Sequence, residues 1–150
     1  MTAHLDLAEL IIGMHWELAE WMGSNAPPKV FDRFSTLFHD EFTAVTMAGQ
    51  IVDRDTLLAG VWAVRNKVPG LEIEVYDVEA LIADGDLTVV RFRAENRLGA
   101  VRQPRLATAT VLATENGYLL RTLHETAAAP PGAQNPTIEL IREGSATLGE

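Results

Sequence analysis

Two turn signals, Asp84-Gly85-Asp86 and Asn116-Gly117, punctuate the second half of this chain. Nothing else in the sequence constrains the fold as strongly. Glycine beside Asp or Asn supplies the backbone freedom that tight hairpin turns require. The turns divide a stretch rich in β-branched and aromatic residues into strands at about 71–83, 86–98, 103–115 and 118–126. Strands joined this closely pair antiparallel, so a four-strand meander is expected. A sheet of that length needs something to cover at least one face.

The first half supplies the cover. Leu7, Leu10, Ile11, Met14, Leu18 and Trp21 repeat at helical spacing over residues 4–22, and Gly23, Ser24, Asn25 and Pro27-Pro28 end the helix. Val30, Phe31, Phe34, Leu37 and Phe38 mark one side of a second helix, with His39-Asp40 at its exit. Phe42, Ala44 and Thr46 alternate with Thr43, Val45 and Met47, and Ala48-Gly49-Gln50 turns that strand into a short hairpin. Asp53 is the expected N-cap of a third helix, which carries Leu57, Leu58, Val61, Trp62 and Val64-Arg65 and is stopped by Pro69-Gly70. The fold class is therefore α+β, with three helices from the N-terminal half on one side of a curved antiparallel sheet. Residues 1–127 form the domain. Residues 128–150 read as a Pro/Gly/Ala-rich tail, in which TIELIREG is the one candidate element.

The bulk properties exclude several functions. A net charge of −9 lacks the basic footprint of a general nucleic-acid binder and does not suit an anionic membrane surface. No apolar run approaches the ~18 residues of a membrane span, and the N-terminus carries Asp6 and Glu9 where a signal peptide would be basic. A chain without cysteine fits a reducing cytoplasm. With no cysteine and no pair of histidines at ligand spacing, no metal site is expected, and no glycine-rich phosphate loop or Gly-x-Ser-x-Gly elbow occurs. No cofactor is implied.

Two stretches, FHDEFTAVTMAGQIVDRDTLLAG (38–60) and NGYLLRTLHET (116–126), carry a family resemblance. They resemble the nuclear transport factor 2-like superfamily, in particular its SnoaL-like members and small proteins related to the calcium/calmodulin-dependent kinase association domain. The likeness covers roughly residues 5–127. Tyr118 stands where the family usually has tryptophan, and no catalytic Asp set of the isomerase or SnoaL type aligns with this chain. The resemblance implies a cone-shaped sheet with a pocket and a homodimer formed through the sheet. It also implies that Glu125 points into the pocket.

Register narrows the candidates. A three-residue loop at Asp84-Gly85-Asp86 pairs Asp77 with Arg93, Glu79 with Arg91, Val78 with Phe92 and Ala80 with Val90. Slipping by one would set Glu74 against Glu95, which like charges disfavour. A two-residue turn at Asn116-Gly117 pairs Thr108 with Glu125 and Ala109 with His124. One face then carries the row Asp77, Arg93, Thr108, Glu125. The other carries Tyr76, Val78, Phe92, Ala94, Ala107, Ala109, Leu120, Thr122 and His124. Bare hydrophobicity turns the second face toward the helices, whereas the family pattern for Glu125 turns the first toward the pocket. The expected ligand-binding residues are Trp62, Tyr76, Arg93, Thr108 and Glu125. Glu125 and His124 are the candidates for acid–base work, because a carboxylate raised by burial or an imidazole near neutrality can move protons.

Two functions remain open. One is a small-molecule-binding or oligomerisation domain. The other is a cofactor-free isomerase, cyclase or dehydratase using acid–base chemistry in the cavity. The expected partners are a small-molecule ligand and a second copy of the chain, with no nucleic acid and no membrane.

Overall fold

The computed structural model describes residues 3–129; the tail expected over 128–150, with its TIELIREG element, lies almost wholly outside them. Helices α1 (Ala3–Gly23), α2 (Pro28–Ser35) and α3 (Arg54–Ala63) accompany strands β1 (Phe38–Val45), β2 (Ile51–Asp53), β3 (Glu72–Asp84), β4 (Leu87–Leu98), β5 (Val101–Thr114) and β6 (Gly117–Ala127). The strands form one curved sheet in the order β2-β1-β6-β5-β4-β3. The meander is antiparallel as expected, but β1 and β6 pair parallel, so the sheet is mixed.

Helix α1 lays Leu7, Ile11, Met14 and Trp21 against Val90, Phe92, Ala94, Ala107, Ala109, Val111 and Leu120 of the sheet, which form one core. Bare hydrophobicity thus chose the covered face. At the end of α1 the chain folds back, and the amides of Asn66, Val68 and Gly70 donate to the carbonyls of Trp21, Met22 and Gly23. Those carbonyls have no partner within the helix, so the connector serves as its cap. Gly23 permits the approach, since a Cβ there would lie 3.0 Å from the Leu71 nitrogen.

The second helix is shorter than its apolar spacing predicts. Helix α2 ends at Ser35, and Phe38, His39 and Asp40 belong to β1. The Ser35 and Thr36 hydroxyls donate back to the Asp32 and Arg33 carbonyls at 2.8 and 2.7 Å, closing the helix. Phe34, Phe38 and Phe42 are four residues apart and pack in sequence at 4.9 and 4.8 Å, so a helical spacing continues across the break. The Asp53 cap forms as expected, its Oδ1 accepting from the Thr56 amide at 2.8 Å.

The register departs from expectation at the first turn, where Asp84 pairs with Leu87 and leaves a two-residue loop in place of the expected three. The meander is also shifted at three places, one of which, between Ala80 and Ile82, restores the expected pairing of Ala80 with Val90. In β3, Glu79 pairs with Arg91 and Ala80 with Val90, but beyond them Tyr76, not Asp77, faces Arg93. The extra residue is accommodated by Asp77, whose φ is 57°, a left-handed conformation that Asp tolerates better than most residues. As a result Glu74 does lie opposite Glu95. The repulsion is removed by Arg97, which contacts Glu74 and also reaches Glu95 at 2.8 Å, while Arg102 stands 3.7 Å from Glu95. In β6, Leu120 pairs with Val111 and Thr122 with Thr110, leaving Arg121 as the extra residue. Side chains alternate along a strand, so one inserted residue exchanges the faces of everything beyond it. On β6 the shift sets His124 opposite Thr108 and Glu125 opposite Ala107, while the unbroken β4–β5 ladder, closed by a two-residue turn at Gly99-Ala100, sets Thr108 opposite Arg91.

Candidate functional site

The expected row of Asp77, Arg93, Thr108 and Glu125 does not exist. Arg93 lies on the face away from the helices, half exposed, with its Nε 3.4 Å from Asp77 Oδ2. Thr108 and His124 are cross-strand neighbours on that same face, both exposed. Tyr76 pairs across from Arg93. Trp62 is 52 % exposed on α3, tilted against Trp21 at 5.2 Å and edge-on to Phe31 at 5.1 Å. Trp21 is buried as its place on the apolar stripe requires, whereas Trp16 is 66 % exposed. Glu125 alone among the expected site residues reaches the interior, and the Arg121 bulge sends it there.

A half-open cavity of about 250 Å³ lies between α1, α2, α3 and the sheet. Leu18, Phe34, Phe38 and Leu123 contribute apolar wall, and His15, Asn96, Arg105 and Glu125 bring polar groups into it. Arg105 is 7 % exposed. Its Nη1 donates to Asn96 Oδ1 at 2.6 Å, and its Nε lies 2.6 Å from Glu125 Oε2. That second contact is a charge contact, because the Nε–H is not aimed at the carboxylate and makes no hydrogen bond. His15 is buried in α1, its Nδ1 2.7 Å from the Ile11 carbonyl and its ring edge-on to Phe92 at 5.4 Å. Burial holds the imidazole down at about 4 against an ordinary 6.5; the Ile11 hydrogen bond opposes that shift, and the Arg105 charge adds to it. His15 is therefore neutral near pH 7.

His15, Asn96 and Arg105 were not among the expected site residues, yet the sequence carries a signal for each. Arg105 alternates in phase with Ala107, Ala109 and Val111, and Asn96 with Val90, Phe92 and Ala94. His15 follows Met14 and lies four residues after Ile11 on the buried stripe of α1. A polar residue in phase with a buried apolar series is either paired or functional.

Two larger depressions are less suited to a ligand. One, of about 540 Å³ between α1 and β3, contains Arg97, already paired with two glutamates. The other, of about 520 Å³ on the outer face, contains Arg91 and Arg93, paired with Glu79 and Asp77. The cavity's guanidinium is also paired, but there the imidazole brings a nitrogen with no partner among the described residues. No group of three or more metal-ligating side chains occurs among the described residues, and no helix there is long and apolar enough to cross a membrane.

Solved structures share this fold. An NTF2-like protein of unknown function from Pseudomonas aeruginosa superposes with a TM-score of 0.78 at 23% identity, over 83% of this chain and 99% of that one. An NTF2-like family protein from Streptomyces avermitilis, provisionally described as a dehydratase, gives 0.68 at 14% identity, over 84% and 97%. A protein from Exiguobacterium sibiricum, provisionally described as a calcium/calmodulin-dependent kinase II association domain, gives 0.63 at 15% identity, over 87% and 97%. At these identities the likeness is one of fold. No curated protein matches the sequence. A family model described as a SnoaL-like domain matches residues 28–124, more than half of the chain. The protein belongs to the SnoaL-like domain family, and it shares its fold with NTF2-like proteins.

Proposed function

We propose that this half-open cavity binds a small organic molecule, with His15, Asn96, Arg105 and Glu125 as its polar contacts. The observation that carries this reading is their convergence in a space of about 250 Å³ whose remaining wall is largely apolar. Binding sites typically combine an apolar body with a few placed polar groups. Screening one-ring fragments by saturation-transfer NMR tests the reading. Hits should disappear in Leu123→Trp, which fills the cavity from β6. Hits that persist in that variant, or a screen with none, would refute it.

A second reading, proton-transfer turnover without a cofactor, draws support from His15. A neutral imidazole beside a guanidinium pairs a base with a group that can stabilise an oxyanion. Against it stands the low basicity of His15, far from the near-neutral value that suits a general base. Small ketones incubated with the protein in D2O should exchange α-hydrogens if this reading holds, and should not with His15→Phe.

We also expect a homodimer through the outer face of the sheet, which no helix among the described residues covers and where Tyr76, Val89 and Leu106 lie among Arg91, Arg93 and His124. Sedimentation equilibrium at micromolar concentration should report about twice the chain mass, and a monomer would refute it. A cytoplasmic location suits a chain without cysteine.

A further inference from the structure

The hydrogen-bonding polarity of the cavity wall narrows the ligand's chemistry, an inference that rests on the binding reading above. His15 Nδ1 lies 2.7 Å from the Ile11 carbonyl oxygen. A carbonyl can only accept, so Nδ1 carries the ring proton. In the neutral ring Nε2 then holds a lone pair. Among the described residues no donor reaches it. Nor is it one of the side-chain nitrogens sealed off without a partner, which are Arg65 Nε and Arg105 Nε. Nε2 therefore keeps some accessible surface, and His15 is one of the residues that line the cavity.

Charge narrows the choice further. The Arg105 cation already faces Glu125 and donates to Asn96. With His15 neutral the polar cluster sums to zero charge. A carboxylate entering beside it would meet Glu125 in a poorly solvated space, and an ammonium would meet Arg105. A neutral molecule avoids both penalties. The group the wall lacks is a donor for His15 Nε2. A volume of about 250 Å³ falls below the range of drug-sized sites and suits a body of roughly one ring.

We propose that the cavity selects a neutral ligand of about one-ring size whose hydroxyl, as in a phenol, enol or alcohol, donates to His15 Nε2 while its body packs against Leu18, Phe34 and Leu123.

Four one-ring probes test this on the full chain near neutral pH: p-cresol, its methyl ether, toluene and benzoate, titrated by calorimetry and ligand-detected NMR. The cresol should bind about tenfold more tightly than the ether or toluene, the effect of leaving one buried acceptor unsatisfied. In His15→Phe, which keeps a ring against Phe92, that preference should shrink to about twofold or less. His15→Gln, which can again present an acceptor, should restore part of it. The wild-type His15 Nε2 resonance, followed by nitrogen-15 NMR, should move with the cresol and not with the ether; this arm decides the matter if either variant fails to fold. Equal affinity for cresol and ether overturns the hydroxyl assignment while leaving the cavity reading intact, as does tightest binding of benzoate. Binding that survives Leu123→Trp, or no binding by any probe, overturns the cavity reading and the hydroxyl assignment with it.

Discussion

Two arginine–carboxylate pairs in this protein have the same closest approach, 2.6 Å, on opposite faces of one sheet. Outside, Arg91 donates through Nε and Nη2 to Glu79 Oε1, and both side chains are more than half exposed. Inside, Arg105 is almost wholly buried and Glu125 keeps 24 % exposure. Water and salt compete for the outer pair, which limits its net value to about 0–1 kcal/mol. The inner pair gains stronger attraction but bears a larger desolvation cost, so its presence stabilises little while its disruption costs much. Equal distances therefore conceal unequal consequences. The inner pair's contribution is to hold a neutral, polar floor in an apolar cavity.

The largest effect expected on the inner face comes from His15. Its folded-state value near 4 lies below the ordinary 6.5, so between those pH values the unfolded chain binds the proton that the folded chain refuses. The stabilisation is complete above about pH 6.5 and is lost as pH falls toward 4, by about 3 kcal/mol in total. Urea denaturation across that range should show this loss in the wild type and not in His15→Phe. Parallel curves for the two proteins would show that His15 is not buried as described.

Cutting the inner pair should have the next largest effect. Glu125→Ala leaves the Arg105 charge facing apolar wall, and urea denaturation should show a loss of about 2–3 kcal/mol, moderated by water entering the cavity. Replacing both partners, Arg105→Met with Glu125→Leu, should recover most of it, to within about 1 kcal/mol of wild type. If the double variant is no better than the single, the cost lies in packing and not in the orphaned charge.

The smallest effect belongs to the outer pair. Arg91→Ala should change stability by less than about 0.5 kcal/mol, and that difference should vanish in molar salt. The Glu125→Ala penalty should be far less salt-sensitive, because ions do not screen a buried charge. A salt-dependent loss at both sites would erase the contrast.

Much of the fold was legible because its signals are local. The Asp53 cap, the Gly-bearing turns, the apolar stripe of α1 and the order of the elements each depend on a few neighbouring residues. The end of α2 was misplaced because a phenylalanine spacing of four continues into β1, where tertiary packing sustains it in place of helical geometry. The site was only partly legible. Glu125 stood out through family resemblance. Arg93, Thr108 and Tyr76 were assigned to the pocket by assuming unbroken alternation, which Asp77 and Arg121 interrupt.

What the sequence determined by itself was the set of elements and the apolar face that had to be covered, since propensity, capping and periodicity act over a few residues. What the tertiary structure alone decided was which polar side chains share that face. A bulge is settled by partners distant in the chain. Arg121 leaves the β6 ladder where its guanidinium can donate to the Glu41 carbonyl, across 80 residues of sequence. That displacement turns Glu125 inward to meet Arg105 and turns His124 to the outer face, beside Thr108. One residue of slip costs the chain little locally, but it inverts every side chain beyond it.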